Sequence, residues 1–525
     1  MAAMTFRGVV CVGVFGLLAG WAQAGAIVQE GFESPDVLTV WRSEGAGVAE
    51  VREIGPGGGH ALRVELKARG NHLVRLGLPV EEMRGRRVAI TARVKAEGVV
   101  KAKEPWHGVK IMLQCDTPGG PTYQNVPEVA GTFDWKPIGL VAEVPADATA
   151  AYLILGLGEA SGVAWFDDVE LEIAGTPRVR PAAPPALLPP EKLDRRTELP
   201  RLRGVMYGPQ GKEEDLRVLA GWQANLIRWQ FYWYDGTFPE KRGDLALYDR
   251  WLHETMAEVD RLLPVCRELG LRVVIDLHTP PGAMATGQMA MFQNKECQAK
   301  FIAVWDELAR HYKDEPAIWA YDLLNEPVEG RVAEGLMDWH TLATEVARRV
   351  RAIDAKRAII VEPGPSGGWE NLAYFEPLAV PGIIYSVHMY EPLRFTHQGV
   401  MDGMPRGVTY PGMIDGQYWD RAKLKEMLEP VRAYQKDYNV PIYIGEFSAI
   451  RWAPGDSAAA YLADCISIFE EYGWDWSYHA FREWQGWNVE LGTDPAETQP
   501  AATPTTRQKV LQRAFEKNAR PAAKR

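Results

Sequence analysis

Eight short apolar runs recur between residues 202 and 480: Leu202–Tyr207, Asn225–Trp229, Arg272–Leu277, Ile318–Leu324, Ala358–Val361, Ile383–Val387, Ile442–Ile444 and one near Trp474–Ala480. Such runs, continuous rather than alternating, suit strands covered on both faces, the condition of a parallel sheet wrapped by helices. The intervals carry helical patterns, as in Phe301, Trp305, Leu308 and Tyr312 at i, i+4, i+7 and i+11. Eight strand–helix units in roughly 290 residues match the size of a closed (β/α)8 or TIM barrel, an α/β fold expected here over residues 201–490. A doubly wound sheet is the alternative, but no Gly-x-Gly-x-x-Gly follows an early strand.

The rest of the chain has other rhythms. Residues 25–174 alternate short β-forming runs with Gly, Pro and Asp, as in Arg86–Val94 and Ala151–Leu155, which predicts an all-β sandwich. Residues 175–200 hold Pro181, Pro184, Pro185, Pro189 and Pro190 and read as a semi-rigid linker. Residues 491–525 read as a loosely attached tail with a short helix at Thr506–Asn518. At the amino terminus Arg7, an apolar stretch from Val9 to Ala19 and Ala22-Gln23-Ala24 have the order of a secretory signal over residues 1–24. The stretch is well short of the roughly 20 residues a membrane-spanning helix needs, so a secreted protein, extracellular or periplasmic, is expected.

Charge narrows the partners. With 58 basic and 69 acidic residues the formal charge is −11, which argues against nucleic acid or an anionic membrane and favours an uncharged ligand. A monomer is expected. Cys115, Cys266, Cys297 and Cys465 are too few for a disulfide scaffold and show no C-x-x-C spacing; one bridge or four buried thiols both remain open.

In a barrel of this kind chemistry gathers where strands end at the carboxyl face. The polar residues there are Arg228 after the second strand, His278 after the third, Asn325 and Glu326 after the fourth, His388 and Tyr390 after the sixth and Glu446 after the seventh. Each alone has an ordinary structural explanation, but together they fall in register on successive strands. Glu326 and Glu446 would face each other across the barrel mouth, the equipment for glycosidic bond hydrolysis, with one carboxyl protonating the leaving oxygen and the other attacking or activating water. Arg228, Tyr390 and the two histidines would hold Glu446 ionised as the nucleophile, leaving Glu326 as the protonated partner. The competing chemistries lack their motifs: there is no His-x-His pair, His-Glu-x-x-His, Gly-x-Ser-x-Gly or phosphate-binding loop ending in Lys-Ser/Thr. No metal and no cofactor are expected.

From about Leu202 to Glu490 the chain resembles glycoside hydrolase family 5, the cellulase and mannanase family of retaining barrel enzymes. The resemblance rests on Asn225-Leu226-Ile227-Arg228, Val274-Ile275-Asp276-Leu277-His278, Asp322-Leu323-Leu324-Asn325-Glu326-Pro327, Ser386-Val387-His388-Met389-Tyr390 and Ile444-Gly445-Glu446-Phe447. It implies Glu326 as acid/base, Glu446 as nucleophile, Asn325 on the substrate 2-hydroxyl, and Arg228, His278, His388 and Tyr390 as the surrounding network. It also implies an aromatic sugar platform after the eighth strand, taken as Trp484 in a segment that holds Trp474, Trp476 and Trp487 as well. One departure stands out: many relatives carry a histidine pair after the third strand, where Leu277 precedes a single His278 here.

The amino-terminal part resembles jelly-roll carbohydrate-binding modules through Glu30-Gly31-Phe32-Glu33 and the segment Gly162–Glu170. Trp106, Tyr123 and Trp135 would stack on sugar rings or pack in the core, and an edge calcium is left open. Fourteen of the 19 tryptophans lie between Gly204 and Glu490, where stacked sugars give some of them a use. The expected activity is retaining hydrolysis of a β-linked polysaccharide or oligosaccharide, of the β-1,4-glucan type. The alternatives are a β-mannanase, an exo-acting glycosidase of the same fold, or a non-catalytic glycan-binding barrel. That last alternative is disfavoured because both carboxylates are present.

Overall fold

The computed structural model describes residues 26–53, 55, 58–104, 106–126, 129–174, 201–233, 243–285, 288–330, 332–333, 335–400 and 404–518. The expected signal at 1–24 and the expected linker at 175–200 fall outside them. The described residues belong to two compact units, each built around its own sheet.

In the carboxyl-terminal unit eight parallel strands close into a barrel: Arg203–Tyr207, Leu226–Gln230, Arg272–Asp276, Ile318–Asp322, Ala358–Val361, Ile383–Met389, Ile442–Phe447 and Asp475–Phe481, called strands one to eight below. Each overlaps one of the eight apolar runs. A strand's side chains repeat on one face every two residues, and this period sorts the interior into layers. Leu226, Val274, Ala320, Ile360 and Ile384 belong to one buried apolar cluster with Leu202, Trp319, Ala358 and Tyr443. Two residues further along the first four of these strands come Arg228, Asp276, Asp322 and Glu362, all fully buried. An apolar layer thus supports a charged one on the carboxyl side.

Helices cover the barrel, and two of them are tied to the strand ends near the site. Lys295–Tyr312 begins at Asn294, whose side chain accepts from the Glu296 and Cys297 amides, and it buries Phe301, Trp305, Leu308 and Tyr312. Trp305 Nε1 donates to the Leu323 carbonyl at 2.9 Å, just past strand four. From helix Trp339–Ile353, Trp339 Nε1 donates to the Glu362 carbonyl at 2.7 Å, just past strand five.

The expectation of a loosely attached tail is not met. Helix Thr506–Phe515 buries Leu511 and Phe515 completely, and the Phe515 ring stacks on Trp476 of strand eight with centroids 5.5 Å apart. Asn518 accepts from Arg203 Nη1 at 2.9 Å and donates to the Gln223 carbonyl at 2.8 Å. The stretch before the helix is gathered by buried Arg451, whose guanidinium donates to the carbonyls of Gly492, Asp494, Pro495 and Glu497. The Pro/Thr-rich composition suggested looseness, but the helix carries an apolar face that the barrel floor covers.

The amino-terminal unit is a nine-stranded, wholly antiparallel sheet. Its longest strand, Ala150–Ala174, pairs over its first half with Gly108–Thr117 and over its second half with Arg87–Lys101, while Ala61–Leu78 lies along its other edge. Phe32, Trp41, Leu62, Ile111, Leu153 and Phe166 share its core. Trp106 and Tyr123 are exposed, at 54% and 59%, while Trp135 is half-buried. The four described cysteines are buried free thiols. Among the described residues no helix is long and apolar enough to cross a membrane.

Candidate active site

Arg228 organises the charged layer. It lies within strand two rather than after it, because alternation along the strand turns its side chain into the barrel. With none of its surface exposed, its Nε donates to Asp322 Oδ2 at 2.9 Å and its Nη1 to Glu446 Oε1 at 2.9 Å, while Nη2 donates to Asn325 Oδ1 at 3.0 Å and Glu362 Oε1 at 2.9 Å. Asp276 Oδ1 lies 3.3 Å from Nη2. A buried cation so surrounded keeps its proton: burial opposes the charge, but the nearby carboxylates outweigh it and hold the guanidinium well above its usual range. Burial also raises Asp322, to well above the ordinary carboxyl range, despite the Arg228 contact.

Glu446, within strand seven, is approached by donors on both of its oxygens. Beyond Arg228 on Oε1, its Oε2 accepts from the Tyr390 hydroxyl at 2.7 Å and lies 3.0 Å from His479 Nδ1 and 3.7 Å from His388 Nδ1. Burial alone would raise its pKa, but the charges of His388 and His479, the His479 hydrogen bond and Arg228 together hold it well below the carboxylate range. It is therefore ionised. Gly445 before it permits this packing, since a Cβ there would come within 2.6 Å of Ser386 Oγ and 3.1 Å of His388 Nε2.

Glu326 sits differently. It follows strand four in a left-handed conformation (φ 46°), its amide donating to Glu362 Oε2 at 2.8 Å, and 30% of its side chain is exposed against 4% for Glu446. Its Oε1 is 2.8 Å from His388 Nδ1, while His388 Nε2 lies 3.0 Å from Glu362 Oε1. One oxygen of Glu326, one of Glu446 and a His388 ring nitrogen all lie within 4.8 Å of one another, which brings the predicted pair together at the barrel mouth. These are the only donors among the described residues assembled as a cation would need. Both His388 nitrogens already face carboxylates, so the set fits proton chemistry better than metal binding.

His278 does not join the Glu446 network as expected. Its Nδ1 lies 2.9 Å from Asp276 Oδ2 and its Nε2 faces Asn325 Nδ2 at 3.2 Å. A proton on Nδ1 satisfies Asp276 and leaves Nε2 to accept from Asn325, so His278 orients Asn325 together with Arg228. The second histidine on Glu446 is His479, within strand eight. Trp484 is half-buried, edge-on to Trp487 at 5.0 Å and to Trp452 at 6.2 Å. Trp487 lies against the cluster, stacked on Tyr390 at 5.5 Å and 4.6 Å from the His479 ring.

Sequence reasoning thus missed Glu362 and His479. Both were within reach of the strand-end rule, since Glu362 directly follows Ala358–Val361 and His479 closes the apolar run at Trp474–Ala480.

Comparison with known proteins decides the family. The cellulase family, glycosyl hydrolase family 5, matches residues 192–484. The chain belongs to this family. It is similar to cellodextrinase A of Ruminococcus flavefaciens, 23% identical over 52% of this chain and 79% of that protein. It is also similar to endoglucanase C of Acetivibrio thermocellus, 27% identical over 51% of this chain and 83% of that one. Among solved structures, Thermotoga maritima Cel5A in complex with mannotriose aligns with 24% identity and a TM-score of 0.47 over 62% of this chain and 99% of that chain. This family 5 member is a glycoside hydrolase, and its barrel mouth carries the two carboxyl groups described above.

Proposed function

We propose that the protein is a secreted retaining β-glycosidase acting on a β-1,4-linked glucan or an oligosaccharide derived from one. The observation that carries this reading is that one carboxyl oxygen of Glu326 and one of Glu446 lie within 4.8 Å of each other. Retaining enzymes hold their carboxyl groups about 5–5.5 Å apart, and inverting ones need about 6.5–9.5 Å to admit a water. Glu446, ionised and held by Arg228 and Tyr390, attacks the anomeric carbon. Glu326, the more exposed of the two, gives its proton to the departing glycosidic oxygen and then takes one from the water that releases the sugar. Asn325, its amide fixed by Arg228 and His278, meets the substrate 2-hydroxyl, and Trp484 supplies a sugar platform. Names of relatives, an endoglucanase and a cellodextrinase, favour a glucan. Export follows the signal-like amino terminus. The exposed Trp106 and Tyr123 suit a jelly-roll module that contacts glycan.

A hydrolysis panel of carboxymethylcellulose, mixed-linkage glucan, xyloglucan, mannan and aryl β-glycosides, with product sizing and proton NMR of the first-formed anomer, tests this. The expected product is a β-anomer released from a β-1,4-glucan. A first-formed α-anomer would refute retention, and no release from any substrate would refute the proposed activity on these glycans.

A further inference from the structure

His479 is placed where only a cation is comfortable. Its Nδ1 lies 3.0 Å from Glu446 Oε2 and 2.6 Å from the Tyr390 oxygen, and its Nε2 lies 3.4 Å from Glu483 Oε2. The Tyr390 hydroxyl proton is already directed at Glu446 Oε2. A bare Nδ1 would therefore aim its lone pair at the carboxylate and compete with it for that proton. A protonated Nδ1 donates to both oxygens at once. At the other end of the ring, Nε2 faces a carboxylate that Gln230 Nε2, from strand two, anchors at 2.7 Å. Trp487 lies against the ring and keeps water from it.

We propose that Glu483 and His479 form a positioning pair for the nucleophile, with Glu483 holding His479 as an imidazolium whose Nδ1–H keeps Glu446 ionised and fixes its Oε2. The inference rests on Glu446 being the nucleophile. The groups facing the imidazole are Glu446 from strand seven, Tyr390 and His397 from the segment after strand six, and Glu483 and Trp487 from beyond strand eight. Burial and the His479 charge push His397 down to about 4, so it stays neutral and does not compete. Burial opposes the charge on His479, but Glu446 and Glu483 overcome it and raise the ring to about 10. Glu483 keeps 25% of its side chain exposed; such burial as it has would raise its pKa, but the His479 charge and hydrogen bond and the Gln230 bond lower it. Glu446 is thus braced by a cation on each side, Arg228 on Oε1 and His479 on Oε2. The second depends on a carboxylate that has no part in the bond-making.

The test is the pH dependence of inactivation of the full chain by 2-deoxy-2-fluoro-β-cellobiosyl fluoride and its manno counterpart. Their fluoride leaving group needs little acid assistance, so the profile reports the nucleophile. Wild type, His479→Gln, Glu483→Gln and the double variant are compared. In His479→Gln the acidic limb moves to higher pH by about one to two units, the value of one charge-assisted hydrogen bond. In Glu483→Gln the acidic limb stays in place, because Glu446 still keeps the ring charged there, and a new alkaline limb appears below pH 10. The double variant follows His479→Gln, with no alkaline limb, since the two residues act in series. Coincident acidic limbs for wild type and His479→Gln, or an unchanged alkaline profile in Glu483→Gln, overturn the proposal. If His479→Gln does not fold, Glu483→Gln decides alone, because it leaves the ring in place. Peptide mapping separates the two readings: a wild-type label anywhere but Glu446, or none, removes the nucleophile assignment itself and this inference with it.

Discussion

Replacing Glu362 by glutamine probes the floor of the site without touching either proposed catalytic carboxylate. Glu362 is fully buried and accepts three hydrogen bonds, from Arg228 Nη2 at 2.9 Å and His388 Nε2 at 3.0 Å on one oxygen and from the Glu326 amide at 2.8 Å on the other. An amide of the same shape has one acceptor and one donor end. With its oxygen towards Arg228 and His388, its NH2 meets the Glu326 N–H; flipped, its NH2 meets two cationic donors. At least one buried donor is left unpaired, at about 1–3 kcal/mol, and a charge-assisted bond is weakened as well. A loss of about 2–4 kcal/mol lowers the melting temperature by about 3–6 °C for a domain of roughly 300 residues. The kinetic effect is selective. Glu362 holds the left-handed backbone of Glu326 and one side of His388, so its loss displaces the proposed acid, and a 1 Å misplacement costs about 100-fold. That penalty falls on cellooligosaccharides, whose leaving group must be protonated, and largely spares dinitrophenyl glycosides, whose leaving group need not be. Thermal unfolding and kcat on the two substrate types measure both effects. An unchanged melting temperature with equal losses, or none, on both substrates would refute the reasoning.

Three further outcomes follow from the same contacts. Arg228→Met leaves Asp276, Asp322, Glu362 and Glu446 around a site with no guanidinium, and a loss of about 3–5 kcal/mol is expected in denaturant unfolding. Phe515→Ala removes a fully buried ring stacked on Trp476 and should cost about 3–5 kcal/mol while leaving KM unchanged, whereas a loose tail would show no stability change. Stability should also depend on pH through the Glu446–His479 pair. The lowered Glu446 pKa contributes stability above the unfolded carboxyl value that is lost as pH falls through the folded one, and the raised His479 pKa contributes stability below about 6.5 that is lost as pH rises through about 10. The stability gap between wild type and Glu446→Gln should therefore narrow as pH falls below the ordinary carboxyl range and as it rises towards 10; a gap that stays constant from pH 3 to 10 would contradict the pairing.

The barrel was legible because its strands are buried on both faces, so their sequence is apolar without interruption and contrasts with the helical periods between them. The site was legible for residues that break that apolar run, such as Arg228 and His388. It was less legible where contacts depend on which strand lies opposite. His278 and His479 both end apolar runs, yet only closure of the barrel brings strand eight against strands one and seven and turns His479, not His278, towards Glu446. The docked carboxyl-terminal helix was misread for a related reason: its partner, Trp476, is 39 residues away in sequence.

The proposed division of labour between the two carboxyl groups follows from where each leaves its strand. Glu446 lies inside strand seven, where the backbone is fixed by neighbours on both sides, and its side chain enters the layer that Arg228 fills. Guanidinium, phenol and imidazole donors from strand two, from beyond strand six and from strand eight can all reach it. Such a group is ionised whatever the substrate does, as a nucleophile must be. Glu326 lies beyond strand four in a left-handed turn that lifts it above this layer, where His388 Nδ1 is its only close side-chain partner among the described contacts and solvent reaches it. Among the described contacts no guanidinium or phenol binds it, which suits the proposed acid/base role. Moving Glu446 by one strand position would turn it out of the barrel, because alternate residues face opposite sides, whereas Glu326 is placed by the left-handed turn that follows its strand. The chemical asymmetry of the pair is therefore set by strand register on one side and by the turn on the other, before any substrate arrives.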